Sequence, residues 1–192
     1  MVGLSRSVRH DVEHTLGLVA PHLRPDDSVL DVGCGWAHVT AAIAQTNSDT
    51  WGIDIVDVRQ ADLPHFALYD GVAIGFPDRR FDVVVLAFVL HHVPNAHKPR
   101  LVSEARRVCK RTLVVVEDTP RNRVDRFFNR RHGEAYRRSI GSAADFGFYS
   151  QLEWEAFFAH EGLAVVESCA LSRFCRDWKQ PYARSCFVLG VP

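Results

Sequence analysis

Two glycines and an acid constrain this chain more than anything else in it. The run Val29-Leu30-Asp31-Val32 feeds Gly33-Cys34-Gly35, and Trp51-Gly52-Ile53 ends at Asp54 in a second apolar run. An apolar strand, a glycine turn, a helix-like segment and an acid about twenty residues on are the parts of a βαβ unit that holds a nucleoside. Glycines let a ligand approach the main chain, and the acid at the tip of the second strand accepts from ribose hydroxyls. The plainer alternative is a tight strand-to-helix turn with no ligand.

The third position of the fingerprint narrows the ligand. A dinucleotide site of the form G-x-G-x-x-G would need glycine where this chain has His38, after Ala37. That third glycine lets helix and strand pack closely beside a pyrophosphate. Its absence argues against a nicotinamide or flavin dinucleotide.

The remaining chain alternates strands and helices. Val8, Val12, Leu16, Val19 and Leu23 repeat every three or four residues, which predicts an amphipathic helix over about 5–23. Strands are expected at 28–32, 50–54, 66–69, 81–88, 113–116, 164–171 and 183–191, with helices at 37–45 and 97–109. The segment before Phe66 contains Pro64 and no helical pattern. Val83-Val84-Val85-Leu86 is continuously apolar, as in a parallel strand buried on both faces. Ser150 and Glu153 form a capping box that opens a last helix, ended by Gly162. This order predicts an α/β fold: a Rossmann-like, seven-stranded, mostly parallel sheet with an antiparallel last strand and helices on both faces. Such sheets bind ligands beyond their strands' C-terminal ends. Asp31, Gly33, Gly35, Asp54, Asp70-Gly71, His91-His92 and Glu117-Asp118 all fall at or just after those ends.

Composition excludes several classes. With 47% hydrophobic and 24% charged residues over 192 positions, one globular domain spanning 1–192 is expected. No apolar run approaches the roughly 20 residues of a membrane span, and no signal-peptide core is visible. The five cysteines are odd in number and form no C-x-x-C pair, so a cytoplasmic protein with reduced thiols is expected. Basic and acidic residues balance at 23 each, which argues against a nucleic-acid partner. The charge is uneven, however: between Arg121 and Arg138 stand seven arginines against Asp125 and Glu134.

In order and spacing these motifs resemble the class I S-adenosylmethionine-dependent methyltransferases of the broad type 11 group. The run 29–35 is similar to that family's first motif and Gly52-Ile53-Asp54 to its second. The stretch from Asp70-Gly71-Val72 through Pro77-Asp78 to Phe81-Asp82-Val83-Val84 is similar to its approach to strand four. Leu90-His91-His92-Val93-Pro94 is similar to the strand-four exit. The resemblance covers about 25–120 well and the rest loosely. It implies S-adenosylmethionine as cofactor, with Gly33 and Gly35 under its methionine part and ribose. It implies that Asp31 orients the amino group, Asp54 holds the ribose hydroxyls and Ile55 packs on adenine. Asp70, Gly71 and Val72 would contact the adenine edge, and Ala87 and Phe88 would line the sulfonium. In place of a third small glycine this chain carries Ala37, and the interval from Asp54 to Asp70 is short.

A sulfonium-bound methyl group is already activated, so the protein need only align the partners, exclude water and, for some acceptors, remove a proton. His91 and His92 are the candidate bases; the alternative for each is a hydrogen-bonded structural histidine at a strand end. If both lie on a strand they face opposite ways, which makes them a poor metal pair, and no metal site is expected. Residues 121–150, rich in arginine and aromatics and without clear secondary structure, are expected to form a substrate cap. In it Arg130, Arg131, Tyr136 and Tyr149 would bind a small, anionic acceptor. The competing view of the arginines is a solvated helix with Phe127 and Phe128 tucked underneath. Other functions left open are a non-catalytic methyltransferase-like binding module and a nicotinamide-dependent oxidoreductase.

Overall fold

The computed structural model describes residues 5–140, 147–171 and 183–191. Seven strands form one sheet: β1 (Val29–Val32), β2 (Thr50–Asp54), β3 (Phe66–Leu68), β4 (Phe81–Ala87), β5 (Cys109–Asp118), β6 (Ala164–Leu171) and β7 (Arg184–Gly190). Their order is β3-β2-β1-β4-β5-β7-β6, parallel throughout except that β7 runs antiparallel to both neighbours. The predicted architecture is therefore the observed one.

Alternation along the strands builds two cores. Val83 and Val85 of β4, with Val114 and Val116 of β5, face α1 (Arg6–Val19) and α2 (His38–Ile43). Val84 and Leu86, with Leu113 and Val115, face α3 (Lys98–Val108) and α5 (Gln151–His160). Successive strand residues point to opposite faces, so an all-apolar strand needs helices on both sides. The predicted stripe of α3, Leu101, Val102, Ala105 and Val108, is buried. The capping box opening α5 is present: Glu153 N–H donates to the Ser150 hydroxyl and Ser150 N–H to Glu153 Oε2 at 2.6 Å.

Two local expectations change. β5 is longer than its apolar centre because the ladders to β4 and β7 recruit the polar residues at both its ends, from Cys109 to Asp118. The arginine-rich segment is not irregular but forms α4, Arg123–Ile140. Among its described side chains, the ones turned inward are Asp125 and Asn129, while Phe127 and Phe128 are exposed rather than tucked underneath. No helix separates β2 from β3, as the short interval required.

The switch in strand order falls between β1 and β4. From β1 the chain winds outward through β2 to β3, and from β4 it winds the other way. A crevice at the C-terminal ends of β1 and β4 follows from that reversal.

Candidate functional site

The loop leaving β1 is built from main-chain constraints. Gly33 and Gly35 adopt φ of 73° and 52°, a region that favours glycine. The N–H groups of Gly33 and Cys34 both donate to the Ile53 carbonyl, at 2.8 and 3.1 Å, which ties the turn to β2. A β-carbon at Gly33 would lie 2.6 Å from Val89 Cγ2, so the turn and the exit of β4 touch across the switch point. A β-carbon at Gly35 would meet nothing within 4 Å. One glycine is required by packing, the other faces open space. Ala37, at φ 62°, caps α2 in the same left-handed region where a third glycine is common.

Asp54 locks this turn to the tip of β2. Its Oδ2 accepts from Gly35 N–H at 2.8 Å, and its Oδ1 from Ile55 N–H at 2.7 Å. Ile55 beyond it is 53% exposed. Ile55 also borders Gly71, whose φ is 77°. Asp70 Oδ1 caps the next turn, accepting from Val72 and Ala73 N–H, both at 2.8 Å, and those bonds hold its carboxyl below the usual range. The following loop is stapled to α3: Arg107 donates to the Phe76 and Ile74 carbonyls and to Asp78 and Glu104.

Asp31 lies within β1 and is buried, accepting from the Thr40 hydroxyl of α2 at 2.5 Å. Burial pushes its carboxyl up to about 6; the Thr40 bond opposes that and the charge of Asp54 adds to it. Burial likewise pushes the Cys34 thiol up, with Asp31 and Asp54 adding to it, so that sulfur stays protonated.

On the other side of the crevice, β4 ends at Ala87, and Phe88 turns the chain with φ 60°, strained for a non-glycine. Its N–H donates to the Val116 carbonyl at 2.7 Å, and the Arg184 guanidinium sits 4.1 Å from its ring centroid. His91 and His92 follow in a 3-10 turn, Leu90–His92, not on a strand. Strand alternation therefore does not separate them, and their ring centroids lie 4.0 Å apart. His91 is buried, with Nδ1 2.5 Å from Glu117 Oε2, while Glu117 Oε1 accepts from Leu90 N–H at 2.6 Å. Burial pulls that imidazole down, but the Glu117 carboxylate outweighs it and its pKa lies above the ordinary value. Phe148 stacks on His91 at 4.8 Å.

Asp31, Gly33, Gly35, Asp54, Ile55, Asp70, Gly71, Val72, Ala87, Phe88, His91 and His92 thus stand at or just after the C-terminal ends of β1, β2, β3 and β4. The structure does not bring all the expected cap residues there. Arg130 and Arg131 are exposed on the outer side of α4, Arg130 paired with Glu134 at 3.7 Å. Tyr149 packs against Trp154, with the Lys98 ammonium 5.2 Å from its ring centroid. The Tyr136 side chain lies outside the described residues. The sequence placed Glu117 at a ligand-binding strand end without giving it a role, and it did not point to Thr40. An acid closing the all-apolar run of β5 was the available signal for Glu117; Thr40 had none.

Comparison with known proteins decides the family. The family described as methyltransferase domain matches residues 4–168. The chain belongs to the methyltransferase family. Its fold is that of the class I, S-adenosylmethionine-dependent enzymes. Among curated proteins it is similar to the ubiquinone/menaquinone biosynthesis C-methyltransferase UbiE of Cupriavidus metallidurans, 28% identical over 114 residues. That match covers 53% of this chain and 46% of the relative, so the chain aligns with under half of that protein's length. Among solved structures, magnesium protoporphyrin IX methyltransferase from Synechocystis with bound SAH shares the fold. Its TM-score is 0.67 at 18% identity, covering 97% of this chain and 84% of that one. A SAM-dependent methyltransferase from Methanosarcina mazei is also similar: TM-score 0.65, 16% identity, 90% and 95% coverage.

Proposed function

We propose that this methyltransferase binds S-adenosylmethionine across the ends of β1, β2 and β4 and methylates a small-molecule acceptor held on the β4–β5 side. The observation that carries the reading is Asp54, whose two oxygens fix the glycine turn and the tip of β2 at once beside the open face of Gly35. The residues present fit the cofactor. Open space over Gly35 admits a ligand against the main chain, exposed Ile55 offers an apolar surface for adenine, and Asp54 stands where a ribose would meet a carboxylate. Asp31 would meet the amino group, Asp70, Gly71 and Val72 the adenine edge, and Ala87 and Phe88 the sulfonium side.

When bound, S-adenosylmethionine supplies a methyl group already activated for displacement. The protein's part is alignment, water exclusion and proton handling. Phe88 and the Gly33–Val89 contact close the crevice between the two halves. Glu117 holds Nδ1 of His91 and orients the imidazole, so His91 is the residue assigned to take the acceptor's proton. Acceptors with an acidic O–H or N–H suit such a base. A small-molecule acceptor also accords with the similarity to ubiquinone/menaquinone and magnesium protoporphyrin methyltransferases.

Incubation with methyl-labelled S-adenosylmethionine and a panel of phenols, quinols and carboxylic acids tests the reading. Label should move to at least one acceptor, and His91→Gln should lower that turnover about 100-fold. Transfer to none, with the cofactor bound, would leave the non-catalytic module as the correct description.

A further inference from the structure

We propose that the outward face of α4 is a docking surface for an anionic lipid bilayer, on which the helix lies flat. Over its described side chains the helix is amphipathic in the inverse sense. Its inward row is polar: Asp125 and Asn129, four residues apart, are each 1% exposed. Its outward row is apolar: Val124, Phe127 and Phe128 are 57%, 48% and 40% exposed. Positions 124, 127, 128 and 131 are spaced i, i+3, i+4 and i+7, so they form one continuous stripe. A helix that turns amides and carboxylates into the protein and aromatics out is shaped for an apolar phase outside it.

Charge complements that stripe. Arg131 closes it, its guanidinium 5.9 Å from the Phe127 ring centroid, and Arg123, Arg126 and Arg130 form the flanking row, Arg126 lying 3.6 Å from Glu153 and Arg130 3.7 Å from Glu134 in exposed pairs. The region carries seven arginines against two acids, while the whole chain is neutral, so the attraction is local and orienting. Arginine forks match lipid phosphates, and their stems can reach up from an embedded face. At about 1.5 Å per residue, the stripe from Val124 to Arg131 runs some 11 Å along the surface. No helix among the described residues is long and apolar enough to cross a membrane, so the contact would be peripheral.

The same observations favour lipid over nucleic acid. Val124 has no stacking plane, and the Phe127 and Phe128 rings meet edge to face at 78°, so they offer no parallel platform for successive bases. The proposal does not depend on the chemistry assigned to the crevice, because it is read by binding alone.

Co-sedimentation of the full chain with phosphatidylcholine vesicles, with and without phosphatidylglycerol, tests it. Binding should require the anionic lipid, weaken with added salt and fall about fivefold per arginine in Arg123→Gln and Arg126→Gln. The double variant Phe127→Ser/Phe128→Ser should bind at least about tenfold more weakly. Both side chains are exposed, so its thermal midpoint should match the parent's. Three results would overturn the proposal: no sedimentation with anionic vesicles, binding that the phenylalanine variant leaves unchanged, or saturable binding to a single-stranded oligonucleotide as tight as to vesicles.

Discussion

The two halves of the crevice are built on different terms. On the β1–β2 side the site is main chain: positive-φ glycines, two N–H groups on one carbonyl, and a carboxylate tying two loops together. On the β4–β5 side it is side chains brought from distant positions: His91 from the turn after β4, Glu117 from β5, Phe148 from the approach to α5. The first half depends on which residues can adopt a backbone shape. The second depends on which elements meet.

That contrast can be broken most sharply at the glycines. Gly33→Ala should suffer twice, from left-handed backbone and from a β-carbon driven into Val89, costing about 2–4 kcal/mol of stability and on the order of 100-fold in cofactor affinity. Gly35→Ala should keep all but about 1 kcal/mol of stability, since nothing crowds its β-carbon, yet still lose affinity because the methyl enters the crevice. Thermal melts with calorimetric titration separate the two; equal stability losses would mean that the turn does not pack on β4 as described.

Asp31 sharpens the same half. Its carboxyl titrates at about 6 when folded against an ordinary 3.8, so burial favours the protonated form. The resulting stability is complete below the ordinary value and is lost as pH rises through about 6, on the order of 2–3 kcal/mol. Asp31→Asn should remove that decline in the ligand-free protein. Denaturant midpoints measured across this range check it, and parallel curves for parent and variant would refute the buried, charge-averse environment.

The acceptor half should respond more gently, and in pH rather than affinity. Glu117 holds His91 above its ordinary pKa, and a base must be neutral to act. Glu117→Gln should therefore move the acid limb of the rate profile to lower pH and lower the plateau kcat about tenfold, with cofactor affinity unchanged. An unmoved limb would leave Glu117 a structural pin only.

Legibility in the sequence follows the same division. The glycine turn, the Asp54 tip, the stripe of α3 and the capping box of α5 were readable because each is fixed by local backbone or periodicity. The 3-10 turn at His91-His92 was not, since a strained Phe88 ends β4 in a way that no apolar pattern marks. A helix was one of two readings for α4, but its orientation was not legible: among its described side chains the buried ones are polar, and only the tertiary packing shows which face turns inward. The pairing of Glu117 with His91 spans 26 residues and has no local signature.

The central claim is that a carboxylate at the tip of β2 and the glycine turn it braces hold S-adenosylmethionine. Isothermal titration of the parent chain and of Asp54→Ala with S-adenosylhomocysteine measures this directly. The account predicts saturable heat for the parent and a loss of about 30- to 100-fold in affinity for the variant, from a charged acceptor removed at ribose and turn together. No heat from the folded parent, or a variant that binds as tightly, would contradict it.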